Sequence, residues 1–272
     1  MYTYKNLGHN GRLGNQMFQY AALFAQGYRR GSEIVIPKSV TREIFPLDGE
    51  YELLSAFPNL SATRASQEDM THITDQYQEK SFLYDGNITL IKDDVDLFGF
   101  FQSELYFADI KEEIKREFAF SPDIVSSAKT KLEDIRRNST AQRPSLCALH
   151  VRRSDYKNSP EYHTNLGPEY YNIAVQNILS SFENSQLVVF SDDIGWCKNN
   201  MPAGTTFSTA DSQFEDMCMM SMCDTHIIAN SSFSWWAAWL SDSKRVIAPK
   251  SWFGPLGPAD YSTIYCPSWL VA

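Results

Sequence analysis

Residues 2–37 read YTYKNLGHNGRLGNQMFQYAALFAQGYRRGSEIVIP. A weakly alternating stretch (2–7) leads into a glycine-bracketed basic turn, a helical pattern and a short apolar run. Over 15–30, Phe18, Ala21, Ala22 and Ala25 fall on one helical face. Arg29 and Arg30 occupy the last turn, and Gly31 is a natural stop. EIVIP, closed by Pro37, reads as a buried strand. Strand, glycine turn, helix and strand together open a Rossmann-like unit. A basic turn ahead of a helix also suits an anion, because the first N–H groups of a helix lack partners within it.

The second half repeats the alternation more clearly. SLCALHV (145–151), QLVVFS (186–191), THIIAN (225–230) and RVIAP (245–249) read as apolar strands. GPEYYNIAVQNILSSF, FEDMCMMSMC and SFSWWAAWLS read as the helices between them. The first has Pro168 at its start and Tyr170, Ile173, Ala174 and Ile178 on one face. Four strands alternating with three helices predict a parallel sheet with right-handed crossovers. In between, VDLFGFFQSELYF holds a strand and a loop, and ADIKEEIKREFAF and SPDIVSSAKTKLEDIRR are helices, the latter capped by Ser121 with Pro122 at N1. The polar, proline-terminated NSTAQRP (138–144) places a domain boundary, giving domains 1–140 and 141–272.

Composition narrows the possibilities. The 272 residues suit two modest domains, and 43% hydrophobic content is enough for a packed core. A net charge of -9 argues against a large nucleic-acid surface, so an acidic ligand needs a local basic site. The five cysteines form no CxxC pair, which removes a zinc ribbon or thioredoxin-like reading; Cys147, Cys218 and Cys223 read as small core residues. No signal peptide and no run of roughly 18 apolar residues is found, so the expected compartment is the cytoplasm, with no transmembrane segment.

Each unusual polar cluster follows a strand, where ligands of open parallel sheets bind. HVRRSDY ends the first, with Arg152 and Arg153 suited to phosphate by their planar forks. A surface pair bridged to Asp155 is the plainer alternative, and the position after a buried strand favours phosphate. Asp192 and Asp193 either bind ribose hydroxyls or cap the next turn. Asn230, Ser231 and Ser232 open a helix, as a plain cap or as an anion site. His150 is either a nucleotide contact or a satisfied structural residue. Trp235, Trp236 and Trp239 read as core. Asp94-Val95-Asp96 matches the DxD of metal-dependent glycosyltransferases but reads better as a loop entering a strand. No Walker lysine motif and no full GxGxxG occur, so ATPase and simple dinucleotide readings lose support.

Taken together, GRLGNQMFQYA, HVRRSDY, FSDD and DMCMMSMCDTHIIANSSFSWWAAWL resemble, in order, motifs of the α-1,2-fucosyltransferases of glycosyltransferase family 11. The resemblance spans nearly the whole chain. It implies an α/β fold of GT-B type, two Rossmann-like domains facing across a cleft. The N-terminal domain would lie on the acceptor side and the C-terminal domain would bind GDP-β-L-fucose. It further implies inverting transfer of fucose to the 2-hydroxyl of a terminal β-galactoside, with no essential metal and no cofactor beyond the co-substrate. Arg12, Gly14 and Asn15 would lie near the transferring sugar, and His150, Arg152, Arg153, Asp192, Asn230, Ser231, Ser232 and Phe233 near the donor. Arg152, Asn15 and Asp155 are the catalytic candidates. Asp155 and Glu161 are the first carboxylates to examine as a base, with neither expected to be indispensable. The acceptor would be a β-galactoside-terminated glycan; if it is lipid-linked, contact with a bacterial membrane would be peripheral, at its inner face.

Three rivals remain at this stage. They are another GT-B fucosyltransferase of α-1,6 or O-linked type, a metal-dependent transferase using Asp94 and Asp96, and a non-catalytic glycan-binding module. The tryptophan-rich NSSFSWWAAW favours the α-1,2 family over the first, and the intact arginine pair argues against the last.

Overall fold

The computed structural model describes residues 1–38, 52–66, 68–142, 144–181, 184–241, 243 and 245–272. They form two compact units, Met1–Ser121 with Asp260–Cys266, and Pro122–Ala259 with Pro267–Ala272.

The first unit runs β1 (Tyr2–Thr3), α1 (Leu13–Arg30), β2 (Ile34–Pro37), α2 (Glu52–Ala56), β3 (Thr63–Ala65), β4 (Asp75–Gln78), β5 (Val95–Phe98) and α3 (Lys111–Glu117), with short 3-10 turns between. Its sheet has the order β3-β2-β1-β5-β4, every pairing parallel. Tyr2 stands opposite Ile34 on one side and Val95 on the other. The strand expected over 2–7 is thus only its first two residues. The helix is as expected but buried more widely. Leu13, Met17, Tyr20 and Leu23 join Phe18, Ala21, Ala22 and Ala25 in the core. Gly31 closes it in the left-handed conformation, φ 60°. Truncating a side chain such as Phe18 would cost about 3–5 kcal/mol, because its neighbours cannot collapse into the space.

The second unit begins a helix earlier than the sequence suggests. It runs α4 (Pro122–Asn138), β6 (Ser145–Val151), α5 (Pro168–Leu179), β7 (Ser185–Ser191), α6 (Ile194–Asn200), β8 (Thr206–Phe207), α7 (Gln213–Ser221), β9 (Thr225–Ile227), α8 (Ser232–Leu240), β10 (Val246–Ala248) and β11 (Leu270–Val271). The expected boundary at 140/141 falls instead between Ser121 and Pro122. The reason is that α4 is tied to α7. Lys131 Nζ reaches Asp211 Oδ2 at 2.7 Å and Glu215 Oε2 at 2.8 Å, and Ser127 Oγ donates to Glu215 Oε1. Residue 143, within the expected boundary segment, lies outside the described residues, as does residue 182 at the end of the helix expected from GPEYYNIAVQNILSSF.

The second sheet has the order β11-β10-β9-β6-β7-β8, also parallel throughout. β6 is central, which is why SLCALHV is a continuous apolar run. Cys147, Leu149 and Val151 pack with Tyr171, Ala174, Val175 and Ile178 of α5. The buried face of α5 is therefore rotated from the expected one. Ile173 is 63% exposed, because a step of two residues from Tyr171 turns it about 200° around the helix. Alternation sends Leu146, Ala148 and His150 to the opposite face, where the His150 ring lies 5.6 Å from that of Phe233 on α8. Trp235, Trp236 and Trp239 are buried and pack on one another, with centroids 5.1 Å apart for the first two. α6, β8 and β11 were not anticipated from the sequence.

Candidate active site

Parallel sheets bind ligands where crossovers diverge from a strand pair, beyond the carboxyl ends. In the second unit the chain leaves β6 towards β7 on one side, while β9 and β10 lie on the other, so the divergence falls between β6 and β9. The two loops that follow these strands are joined directly, because Tyr156 Oη donates to the Asn230 carbonyl at 2.9 Å. Asp192, after β7, accepts from the backbone of the same β6 loop, so the polar clusters after β6, β7 and β9 meet.

Arg152 and Arg153 take separate partners, as neighbours leaving a strand do. Arg152 Nη2 donates to Asp155 Oδ2 at 2.7 Å, and its Nη1 lies 3.0 Å from Asp192 Oδ2. Its guanidinium carbon sits 5.7 Å from the Tyr156 ring centroid. Arg153 stacks on Trp196 at 4.2 Å, with Nε 3.5 Å from Asp193 Oδ2. The side chains are 18% and 17% exposed, and the Arg152–Asp155 bridge of the plainer reading is present, with Asp192 as a second carboxylate on Arg152. Burial works to lower the Arg152 pKa, but the Asp155 hydrogen bond and the Asp192 and Asp155 charges outweigh it, and the net shift is upward.

Of the two aspartates after β7, one takes the capping role considered for them and the other does not. Asp193 caps α6, accepting from Trp196 N at 3.1 Å. Asp192 instead accepts from Arg153 N (2.9 Å), Ser154 N (3.3 Å) and Ser154 Oγ (2.6 Å), which folds the arginine turn around it. Burial alone would raise the Asp192 pKa; the Ser154 hydrogen bond and the Arg152 charge carry it below the ordinary value.

At the opening of α8, Ser231 Oγ caps Phe233 N at 3.3 Å. Ser232 and Phe233 are half-buried, which leaves the first turn accessible. Asn230 is buried, and its Nδ2 donates to the Thr164 and Trp252 carbonyls at 2.9 and 2.8 Å, so it fastens neighbouring loops beneath the helix start. His150 is buried as well. Its Nδ1 has no hydrogen-bond partner among the described residues, so it is not a fully satisfied structural histidine. Burial, with the Arg152 charge, pulls its pKa down to about 3, and the ring is neutral at physiological pH.

In the first unit the equivalent divergence lies between β1 and β5. The glycine turn follows β1. Gly11 has φ +98°, and a Cβ there would lie 2.0 Å from Asn15 Nδ2, so glycine is required both for the turn and for the close approach. Arg12 is the N-cap residue of α1, half exposed, with Nε 3.5 Å from Oε1 of the buried Glu52. Gly14 is buried in the first turn. Asn15 Oδ1 accepts from Gln102 Nε2 at 3.0 Å, and Gln102 follows β5. Nothing local in the sequence marks Gln102 or Glu52, because their partners lie far away along the chain. Tyr156 lies inside the quoted HVRRSDY and needed only to be read as a bridge.

Asp94 and Asp96 are engaged separately. Asp94 is exposed and pairs with the N-terminal ammonium at 3.2 Å. Asp96 is buried and accepts from Lys5 N at 2.9 Å and Gln76 Nε2 at 3.2 Å. All five cysteines are free and buried, and burial pushes the Cys147 thiol up to about 12. No described helix is long and apolar enough to cross a membrane.

Comparison with known proteins gives the family and the fold. An α-1,2-colitosyltransferase from Escherichia coli is 30% identical, over 89% of this chain and 90% of its own. The O-antigen biosynthesis glycosyltransferase WbnK from Escherichia coli is 27% identical, over 90% and 93%. Human galactoside α-(1,2)-fucosyltransferase 1 is 26% identical, over 87% of this chain and 65% of that protein. Among solved structures, fucosyltransferase NodZ from Bradyrhizobium superposes with TM-score 0.55 over 95% of this chain and 96% of that one, at 12% identity. POFUT1 in complex with GDP gives 0.54 over 89% and 94%, at 13%. These structural likenesses show the fold, which is that of the GT-B fucosyltransferases. The family model described as glycosyl transferase family 11 matches residues 3–271, and the chain belongs to that family.

Proposed function

We propose that this family 11 enzyme transfers L-fucose from GDP-β-L-fucose to the 2-hydroxyl of a terminal β-galactoside, with inversion, forming an α-1,2 linkage. The second unit holds the donor, and the glycine turn of the first unit serves the transferring sugar and the acceptor. One observation carries the reading: Arg152 is oriented by two carboxylates at the end of β6, in a loop tied to the one that opens α8. Breaking the sugar–phosphate bond builds negative charge on the departing GDP while the sugar becomes oxocarbenium-like. A fixed guanidinium and the positive end of the α8 helix dipole stabilise that charge without reorganising. Arg153 and the neutral His150 complete the donor side, and Asn15 and Arg12 address the sugar. Asp155 then orients Arg152 and is not the base, and the acceptor proton can leave late, to a phosphate oxygen of GDP.

The relatives' names support α-1,2 transfer but divide over the sugar, colitose in one and fucose in another. Colitose is the 3-deoxy counterpart of fucose, so GDP-colitose is the specific second donor to consider. The test is a screen of GDP-fucose, GDP-colitose, GDP-mannose and UDP-galactose against lactose, N-acetyllactosamine and its β-1,3 isomer, with linkage read by NMR. The reading expects GDP-fucose to be consumed and an α-1,2-fucosylated product to form. Transfer from GDP-colitose alone would move the donor, an α-1,6 or peptide O-linked product would move the acceptor, and glycan binding without turnover would make the chain a lectin-like module. We further propose that no metal is needed. Activity should survive EDTA, whereas loss restored by manganese would favour the Asp94 and Asp96 reading.

A further inference from the structure

Glu79 directly follows β4, and its carboxylate reaches under the loop that follows β5. Oε2 accepts from Phe100 N at 2.7 Å, and Oε1 accepts from Phe101 N at 3.0 Å. Tyr106 Oη lies 3.4 Å from Oε1. The approach is close: a Cβ on Gly99 would sit 2.4 Å from Glu79 Cβ. Tyr4 holds the same glycine from another side, its hydroxyl donating to Gly99 O and accepting from Gly99 N at 3.2 Å. Phe101 has φ +53°, a conformation that a non-glycine residue keeps only when its surroundings enforce it. The half-buried carboxylate supplies that enforcement with paired, charge-assisted hydrogen bonds.

The product of this turn is the placement of Gln102. It is buried, and its Nε2 donates to Asn15 Oδ1 at 3.0 Å. Ser103, the next residue, is pinned by its Oγ donating to Thr263 O at 2.6 Å. A donor on Oδ1 decides which way the Asn15 amide faces, and its Nδ2 end then lies against Gly11.

We propose that Glu79 and Gln102 are positioning residues for Asn15: Glu79 holds the left-handed turn at Phe101, and Gln102, placed by that turn, fixes the Asn15 amide for the transferring sugar. The proposal rests on the role given to Asn15 above. A framework role alone would lower stability without coupling either residue to Asn15.

The experiment is a double-mutant cycle of Gln102→Leu and Asn15→Ala, with kcat, donor KM, GDP affinity and thermal midpoint measured for each variant. Gln102→Leu is expected to lower kcat about 10–100-fold, the scale of a misplaced reacting group, with donor KM and GDP affinity unchanged. The double variant should be no slower than Asn15→Ala alone, because the two residues act as one unit. Glu79→Gln should show the same loss of kcat and faster hydrogen exchange at the Phe100 and Phe101 amides. If Glu79→Gln does not fold, the cycle at Gln102 still decides. Losses that multiply in the double variant would overturn the proposal, as would wild-type kcat in Gln102→Leu beside a slow Asn15→Ala. Wild-type kcat in Asn15→Ala would overturn the role of Asn15 itself, and the proposal with it.

Discussion

Asp192 Oδ2 lies 3.0 Å from Arg152 Nη1, while the same carboxylate accepts the backbone N–H of Arg153 and of Ser154. One side chain at the end of β7 therefore sets both the backbone course of the turn after β6 and the direction of its first guanidinium. With Asp155 on the other side, Arg152 is held from two directions, the preorganisation that the proposed role requires.

Arg152→Ala should act mainly on the chemical rate. Losing one preorganised donor to a developing charge typically costs about 10²–10³ in kcat. Arg152→Lys should recover little of it, since an ammonium cannot span Asp155 and Asp192 as the planar fork does. Steady-state kinetics of both variants check this, and wild-type turnover in either would remove Arg152 from the mechanism.

Neither Asp155 nor Glu161 should behave as an indispensable base. Asp155 already spends its Oδ2 on Arg152, so Asp155→Asn should cost less rate than Arg152→Ala by loosening that fork. Glu161→Gln should cost little. If either single variant loses as much kcat as Arg152→Ala while binding GDP normally, that residue is the base.

Gly11→Ala should cripple activity without unfolding the chain. The substitution combines a left-handed backbone, φ +98°, with a Cβ only 2.0 Å from Asn15 Nδ2. The backbone penalty is about 1–2 kcal/mol, and the displaced asparagine adds a loss of kcat. Thermal melts and kinetics measured together check it, and an unchanged kcat would contradict it.

Stability should fall as the solution is acidified below the ordinary histidine range. His150 and His226 are buried and have pKa values lowered to about 3 and about 4, in each case first by burial. His226 Nε2 donates to Met220 O at 2.8 Å, as a neutral imidazole can. The unfolded state binds protons near pH 6.5 and the folded state does not, so the contribution is complete above that value and is lost as pH falls towards the folded values. Each histidine adds a slope of up to about 1.4 kcal/mol per pH unit in that window. Urea unfolding at a series of pH values measures it, and His226→Gln should flatten the curve. A stability that does not change between neutral and mildly acid pH would contradict the assignment.

What the sequence reveals, and what it hides, follows the range of each interaction. SLCALHV could be read as a buried parallel strand because its apolar run is continuous, and HVRRSDY stood out as a candidate site because its arginines follow that strand directly. Gly31 was visible as a helix stop for the same local reason. The domain boundary was not. Lys131 meets Glu215 across 84 residues, and no local composition announces that α4 packs with the second unit. The face of α5 was misplaced by one step because Tyr170 and Tyr171 compete for it. Tyr171 enters the core, while the hydroxyl of Tyr170 donates to the Ile228 carbonyl. Gln102 stayed hidden because its meaning comes from Asn15, 87 residues away.

The most direct test is a crystal structure of the protein with GDP. The account predicts the diphosphate at the carboxyl ends of β6 and β9, with Arg152 Nη1 or Nη2 on a phosphate oxygen and the backbone of Ser231–Phe233 in contact with the nucleotide. GDP bound only by residues of Met1–Ser121, with Arg152 still closed on Asp155 and Asp192 and untouched by phosphate, would contradict it.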